Sequence, residues 1–353
     1  MLLGSALPMA KRVETRGSVL RDAMRRKIVS RTTQSARMTF PAVPAMVDLY
    51  EETLAQSFAA VGRGLSKDER SHLRAVLVEK LDEAFRKSPH SKLLVTWETD
   101  PAPAASLSWT VTPVIRTMVE EYREWTETRT PPLFGKYPDA KVMEVARSLG
   151  VPSRVRCLDL GAGTGRNAIP LAEEGFPTTA VELSEELAAI LALEAKQRGV
   201  TLEVIRGDAL SVTLPPGAFR LAFLCEVVTH FREVHEVATL LHHLAKAVTV
   251  GGKLLFSAFV AIDGYTPDKQ ARDMSEYAWS SLFTRRDLAS AAEGSGFVLV
   301  SDESVHDFEK VHLPADGFPP TSWFVDWTEG RDVFPIEGKP PIDLRWLLFE
   351  RRG

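Results

Sequence analysis

Residues 158–167 read LDLGAGTGRN. Three glycines, Gly161, Gly163 and Gly165, fall at every second position behind a short apolar run that carries Asp159. Glycine reaches φ > 0 without strain and leaves no Cβ in the path of a ligand. A plain strand-to-helix turn needs one such residue. Three of them, where a buried strand feeds a helix, read as a ligand loop, because open α/β sheets bind ligands beyond the carboxyl ends of their strands. A dinucleotide loop reads GxGxxG; here position 166 is Arg and the spacing is GxGxG, one residue tighter.

Around this loop the chain alternates strand and helix. VRCLDL, TTAVEL, LEVIRGD, LAFLCEV and KLLFSAFV are apolar enough for strands covered on both faces. RNAIPLAEEG, SEELAAILALEAKQRG and EVATLLHHLAKAVTV, spaced as helices, lie between them, and a GG turn at 251–252 precedes the fifth strand. The rhythm predicts an α/β, doubly wound, mostly parallel sheet. FTRRDLASAAEGSGF adds a helix capped by Thr284 with Asp287, and FVLVSDESV and the C-terminal LRWLLFERR add two strands.

Two acids extend the ligand reading. Glu182 ends the second strand, 21 residues after Gly161, where a carboxylate can accept hydrogen bonds from vicinal ribose hydroxyls. Asp208 ends the third strand, in RGDAL. A carboxylate there can accept from an adenine amine while the next N–H, that of Ala209, donates to a ring nitrogen. Together the three strand ends describe a nucleoside pocket with no need to hold a pyrophosphate.

LDLGAGTGRN, the VEL of 181–183, the GDAL of 207–210 and the LCEVVTHF of 224–231 resemble class I S-adenosylmethionine-dependent methyltransferases. GTGRN with the following AIPLA is similar to their tellurite-resistance-like branch. The resemblance covers about residues 150–305 and fits the final strand. It implies a seven-stranded sheet whose last strand is antiparallel, with S-adenosyl-L-methionine as cofactor. It also implies that Asp159 and the loop of Gly161, Ala162, Gly163 and Gly165 hold the amino acid end of that cofactor. Glu182, with Leu183 beside it, would hold the ribose, and Asp208 and Ala209 the adenine; Glu226 would face the same pocket.

In that family the segment after the fourth strand, here CEVVTHF, faces the methyl group. It lacks the Asn/Asp-Pro-Pro-aromatic motif of relatives that methylate amide or amine nitrogens of nucleobases and glutamine. His230 is the candidate catalytic base, since an imidazole titrates near working pH; packing of the loop is its other reading. His242 and His243 are neighbours within a helix and point apart. The two cysteines, Cys157 and Cys225, form no CxxC, so no metal site is expected. Residues 306–343 are rich in aromatics and prolines and read as a lid. Trp323, His306 and Tyr265 are the candidate substrate contacts, with packing of the aromatics as the alternative.

Composition sets the outer bounds. The chain has 353 residues, 44% apolar and 25% charged, the balance of a globular protein outside membranes. No run reaches the length of a membrane span, and two cysteines suit a reducing cytoplasm. The net charge of −4 hides nine Lys or Arg against two acids in residues 1–40. Residues 1–37 read as a basic leader without fixed structure. A phosphate-neutralising arm or an organelle transit segment are other readings, although the arm lacks aromatics for stacking bases. Residues 38–150 read as a mainly helical cap or substrate-recognition domain. It begins with AMVDLYEETLAQSFAAVG and a helix capped by Ser66 with Glu69. KLLVTWE and SLSWTVT follow as strands, then a helix with Thr112 as cap and Pro113 in its first turn. Residues 151–353 carry the methyltransferase fold. The expected function is methyl transfer to an oxygen or nitrogen of a small molecule, by preference a specialised metabolite, with no nucleic acid or membrane as partner. The alternatives are an RNA methyltransferase using the basic arm, an aminopropyl transferase in the same pocket, and a cofactor-binding regulator without turnover.

Overall fold

The structure is a computed structural model that describes residues 13–29, 31, 33–100 and 106–353. Two compact units form, one from residues up to 42 with 46–84 and 92–114, the other from 43–45, 85–91 and 115–353.

The first unit contains helix α1 (Gly17–Val29), strand β1 (Ser35–Pro41), helices α2 (Val47–Ala60) and α3 (Lys67–Lys87), and strands β2 (Lys92–Thr99) and β3 (Leu107–Val114). The strands pair antiparallel in the order β1-β2-β3. Along β2, Leu93, Val95, Trp97 and Thr99 are buried while the residues between them are not, the period of two that turns one strand face to a core. Trp97 meets Phe58 of α2 edge-on, ring centres 5.5 Å apart. Glu51 of α2 is gripped by Arg70 at 2.5 Å and Arg74 at 2.6 Å, both on α3. Ser66 and Glu69 exchange the expected capping bonds at the start of α3.

Three expectations change here. The region read as mainly helical contains a three-stranded sheet. The expected leader is not featureless, since α1 and the start of β1 fall within it; its residues 1–12, 30 and 32 lie outside the described residues. Thr112 and Pro113 belong to β3, paired with Leu94 and Leu93, and a proline is tolerated there because β3 is an edge strand. The next helix, α4 (Met118–Thr128), starts later, at a capping box of Thr117 and Glu120. Both places carry a helix-start signal, but only Thr117-x-x-Glu120 supplies the reciprocal pair of bonds.

The second unit continues with α5 (Ala140–Ser148), β4 (Cys157–Leu160), α6 (Ala168–Glu173), β5 (Thr178–Glu182), α7 (Glu185–Gln197), β6 (Glu203–Arg206) and β7 (Phe219–Leu224). Then follow α8 (Val234–Ala247), β8 (Val248–Ala261), α9 (Lys269–Tyr277), β9 (Leu282–Phe283), α10 (Arg285–Ala292) and β10 (Phe297–Ser304). Helices α11 (Val305–His312) and α12 (Phe324–Thr328) and strand β11 (Ile342–Arg351) complete it. The sheet runs β10-β11-β8-β7-β4-β5-β6. Neighbours from β8 to β6 are parallel, and β11 is antiparallel to both β8 and β10. The sheet has eight strands rather than seven, because the two-residue β9 pairs with β8. The paired glycines at 251–252 lie inside β8 instead of preceding it.

Burial alternates across this sheet. Leu158, Leu160, Ala222 and Leu224 join Leu240, Leu241 and Leu244 of α8 in one core. Cys157, Leu221 and Phe223 join Val142, Val145 and Ala146 of α5 and Trp346 in the other. At about 1.5–3 kcal/mol for each large side chain buried, these two layers drive the doubly wound arrangement. Strand order reverses at β4, which lies between β5 and β7, so the crevice expected of such sheets opens at the carboxyl ends of β4 and β7. Among the described residues no helix is long and apolar enough to cross a membrane.

One buried carboxylate ties three of these elements. Glu309 of α11 accepts from the backbone N–H of Ala140 at 2.8 Å and Lys141 at 3.2 Å, and from Trp346 Nε1 at 3.1 Å. Burial, with the charge of Asp139 nearby, raises its pKa to about 7. Replacing Glu309 by Ala leaves those donors without a partner and should destabilise the fold by roughly 2–3 kcal/mol. Urea unfolding measures this; a change within error would mean that the tie is dispensable.

Candidate functional site

The glycine loop leaves β4 at Leu160 and turns by positive φ at Gly161 (77°) and Gly165 (90°). Both are packed too tightly for any other residue. A Cβ on Gly161 would lie 2.3 Å from Val227 Cγ2, and one on Gly165 would lie 2.3 Å from Leu191 Cδ1. The loop therefore brings bare backbone to the crevice between β4 and β7.

Glu182, at the end of β5, is buried, and its two oxygens each accept one backbone N–H at 2.8 Å, from Gly163 and from Ser184. Burial still raises its pKa, against those bonds. Asp159 on β4 is deeper. Its Oδ2 has no hydrogen-bond partner among the described residues. Its pKa is pushed well up, first by burial and then by the charges of Glu182 and Asp139. Asp208 is exposed just beyond β6 and accepts from Leu210 N–H at 2.9 Å.

The far wall of the crevice is the end of β7. Glu226 sits there with φ at +62°, its N–H donating to Ser257 Oγ at 2.8 Å. Its carboxylate bonds Arg166 at 3.0 Å, and the same guanidinium reaches Asp139 at 2.9 Å. Asn167 and Asp139 exchange two further hydrogen bonds, of 2.8 and 2.9 Å.

Helix α4 supplies the roof. Met118, Tyr122 and Trp125 fall on one face of α4, and with Arg129, the extended residue that follows the helix, they line a cavity of about 530 Å³ together with the glycine loop and the strand ends. Packed against Tyr122 and Trp125, Trp279 has positive φ, at 58°, and stacks on His90 with ring centres 3.7 Å apart. Tyr122 Oη and His230 Nε2 are 3.2 Å apart. Burial lowers the pKa of His230 to about 3 and that of His90 to about 4. His230 is thus a neutral imidazole at physiological pH and a weak proton acceptor.

Of the residues singled out in the sequence, Asp159, Gly161, Ala162, Gly163, Glu182, Leu183, Asp208, Ala209, Glu226, His230 and Trp323 line this one cavity. Gly165 shapes the loop from beneath. Tyr265 and His306 do not line it. Tyr265 packs against Phe334, and His306 lies beside Asp307 and Phe318. Phe324 and Trp327 of the expected lid are buried in the core beside α5, though Trp327 also borders the cavity. Arg166, Tyr122, Trp125, Arg129 and Trp279 were missed. Spacing along α4 was a readable signal for two of them. Among the described residues, no three His, Cys, Asp or Glu side chains form a metal-binding group.

Residues 115–302 match the methyltransferase domain family. The chain belongs to that family. Over 169 residues it is 27% identical to YqeM of Bacillus subtilis, covering 46% of this chain and 67% of that protein. Over 160 residues it is 28% identical to the ubiquinone biosynthesis O-methyltransferase of Paramagnetospirillum magneticum, covering 45% of this chain and 54% of that protein. The chain therefore spans about half to two thirds of the curated relatives it matches. A geranyl diphosphate C-methyltransferase from Streptomyces coelicolor A3(2), 14% identical, superposes with a TM-score of 0.50 over 67% of this chain and 98% of that one, a likeness of fold.

Class I enzymes of this kind take their methyl group from S-adenosyl-L-methionine. The cavity of the methyltransferase fits that cofactor on two observations. An unpartnered buried carboxylate oxygen, on Asp159, suits a cationic ligand. A loop in which added Cβ atoms would collide admits close approach of backbone.

The buried histidines make stability depend on pH. Both have folded pKa values below the 6.5 of a free imidazole. The unfolded chain then binds more protons below pH 6.5, and stability falls with pH from that point down toward the folded values. Each histidine contributes roughly 1–2 kcal/mol of loss between pH 7 and 5. His230→Asn should therefore be less acid-sensitive than the wild type in thermal melts across that range, and an identical pH slope would contradict the buried, neutral imidazole.

Proposed function

We propose that the protein is a cytoplasmic methyltransferase that moves the methyl group of S-adenosyl-L-methionine to an oxygen or nitrogen of a small molecule. The observation that carries this reading is that one hollow contains both the acids of the strand ends and the aromatic face of α4. Its volume, about 530 Å³, lies in the range of small-ligand sites. Two free cysteines suit a reducing compartment.

The cofactor supplies an electrophilic methyl group on a cationic sulfur. The chain's part is to bind, align and keep out water. In this reading the glycine loop and Asp159 take the amino acid end. Glu182 accepts from the ribose hydroxyls with the lone pairs left free by Gly163 and Ser184, while Asp208 and Ala209 N–H read the adenine. Tyr122, Trp125 and Trp279 have ring centres only 5.0–5.9 Å apart. They are packed on one another and form a wall, too close together to cage a group between them. A flat acceptor would lie along that wall, with Trp323 also at the cavity. The His230–Tyr122 pair would accept a hydrogen bond from the reacting O–H or N–H and orient it. With a pKa near 3, His230 does little as a base, so acceptors that lose their proton readily, such as phenols, suit the site best.

Calorimetry with S-adenosylhomocysteine tests the cofactor half of the reading. Binding is expected, and Glu182→Ala should weaken it by about 1–3 kcal/mol, the worth of charge-assisted hydrogen bonds. Incubation of methyl-labelled cofactor with a metabolite extract, and separately with RNA, tests the acceptor half. Label in small molecules is expected; label in RNA alone would overturn it.

A further inference from the structure

We propose that Arg129 is the carboxylate-binding residue of the cavity, pairing the single carboxylate of the donor's amino acid end and so selecting that donor over a decarboxylated one. The inference rests on the cofactor reading above and deepens it.

The charge of the lining leads to it. Six carboxylates border the cavity, those of Asp159, Glu182, Asp208, Glu226, Glu236 and Asp332, against two guanidiniums, Arg129 and Arg166. Arg166 is held by Asp139 and Glu226. The other arginines near α4 are also paired, Arg116 with Glu121 and Arg123 with Glu186. Arg129 makes no ion pair among the described residues. Its contact is the face of Trp125, with the guanidinium carbon 3.8 Å from the ring centre. A stacked guanidinium keeps the N–H groups of its edge free, in the fork that matches a carboxylate. Partial burial lowers its pKa with no acid to offset it, and it remains a cation.

The number and sign of these groups narrow the ligand. An acid-rich lining repels a doubly charged phosphate and favours cations. The amino acid end of S-adenosyl-L-methionine has two cationic centres, sulfonium and ammonium, and one carboxylate. Acids for the cations and one uncommitted guanidinium for the carboxylate match that set. The position agrees. Phe134, shortly after Arg129 in the chain, lies against Gly163, close enough that an added Cβ would be 3.2 Å from its ring. This stretch therefore returns to the glycine loop. An aminopropyl donor, which lacks the carboxylate, would leave Arg129 facing nothing of opposite charge.

An acid group on the acceptor is the other source of the same chemistry, and the experiment separates the two. S-adenosylhomocysteine and its decarboxylated aminopropyl analogue are titrated calorimetrically into the wild type, Arg129→Gln and Arg129→Lys. Arg129 follows the last residue of α4 and remains largely open to solvent apart from its stacking on Trp125, so neither variant should disturb folding, which circular dichroism checks. The wild type is expected to prefer S-adenosylhomocysteine at least tenfold. Arg129→Gln should lose that preference without weakening the analogue, and Arg129→Lys should keep part of it. In a second arm, with S-adenosylhomocysteine saturating, hydroxybenzoate and phenol are compared. A preference for the acid that disappears in Arg129→Gln, with donor affinity unchanged, would move the carboxylate from donor to acceptor. If neither preference depends on Arg129, the proposal is wrong. If the wild type binds neither nucleoside, the cofactor reading itself fails.

Discussion

A guanidinium held away from water between two carboxylates fixes this site. Arg166 follows the glycine loop, Asp139 stands at the start of α5, and Glu226 ends β7. A charge removed from solvent is tolerated only where partners satisfy it, and loss of one partner strands the rest. The two ion pairs therefore cross-link three segments far apart in sequence. Asn167 doubles the link to Asp139 and also reaches Cys225 Sγ at 3.3 Å. The gap between the ends of β4 and β7 is thereby held open at one width, and everything placed across it inherits that geometry.

Backbone strain collects at the same place. Among the described residues, Glu226 and Trp279 are the two without glycine's freedom that adopt positive φ, and both border the cavity. Each such residue costs about 1–2 kcal/mol. Glu226 is held in place by Arg166 and by its N–H bond to Ser257. Trp279 is pressed onto His90 and surrounded by Tyr122, Trp125 and His230. Packing that over-determines a conformation is what strain requires in order to persist. It aims one carboxylate and one indole into the hollow, where a relaxed backbone would turn them elsewhere.

What could be read from the sequence was local. The glycine spacing, Glu182 and Asp208 announce themselves because a strand end and its next few residues fix where they point. The five parallel strands and β11 were legible for the same reason, as apolar runs bounded by turns. β9 was not, because two residues carry no period. The sheet of the first unit was hidden by β1, whose SARMTFP shows little alternation and ends in proline. The α4 face has the right spacing at Tyr122 and Trp125, but a helix begun at Pro113 obscured what it faced. Trp279, His90 and His230 come from three distant segments and meet only on folding. Tyr265, in the turn between β8 and α9, and His306, in α11, fall outside the cavity lining; an aromatic ring looks the same in sequence whether it packs inward or faces a ligand. Arg166 stood in plain view within GTGRN, yet an arginine beside glycines shows no sign of which acids will enclose it.

The charge states inside the cavity belong together. Asp159 and Glu182 are raised by burial, and Glu226 is raised despite its arginine. A cationic ligand relieves that penalty, since opposite charge at close range favours the ionised carboxylate. Binding a sulfonium and ionising these acids are then two descriptions of one equilibrium: where the acids hold protons, the ligand must displace them, and affinity weakens as pH falls. His230 contributes nothing to the positive side, because burial keeps it neutral. An imidazolium at that point would oppose the same cation that the acids attract. The feature that makes His230 a poor base therefore also makes the cavity a better host for a positively charged donor.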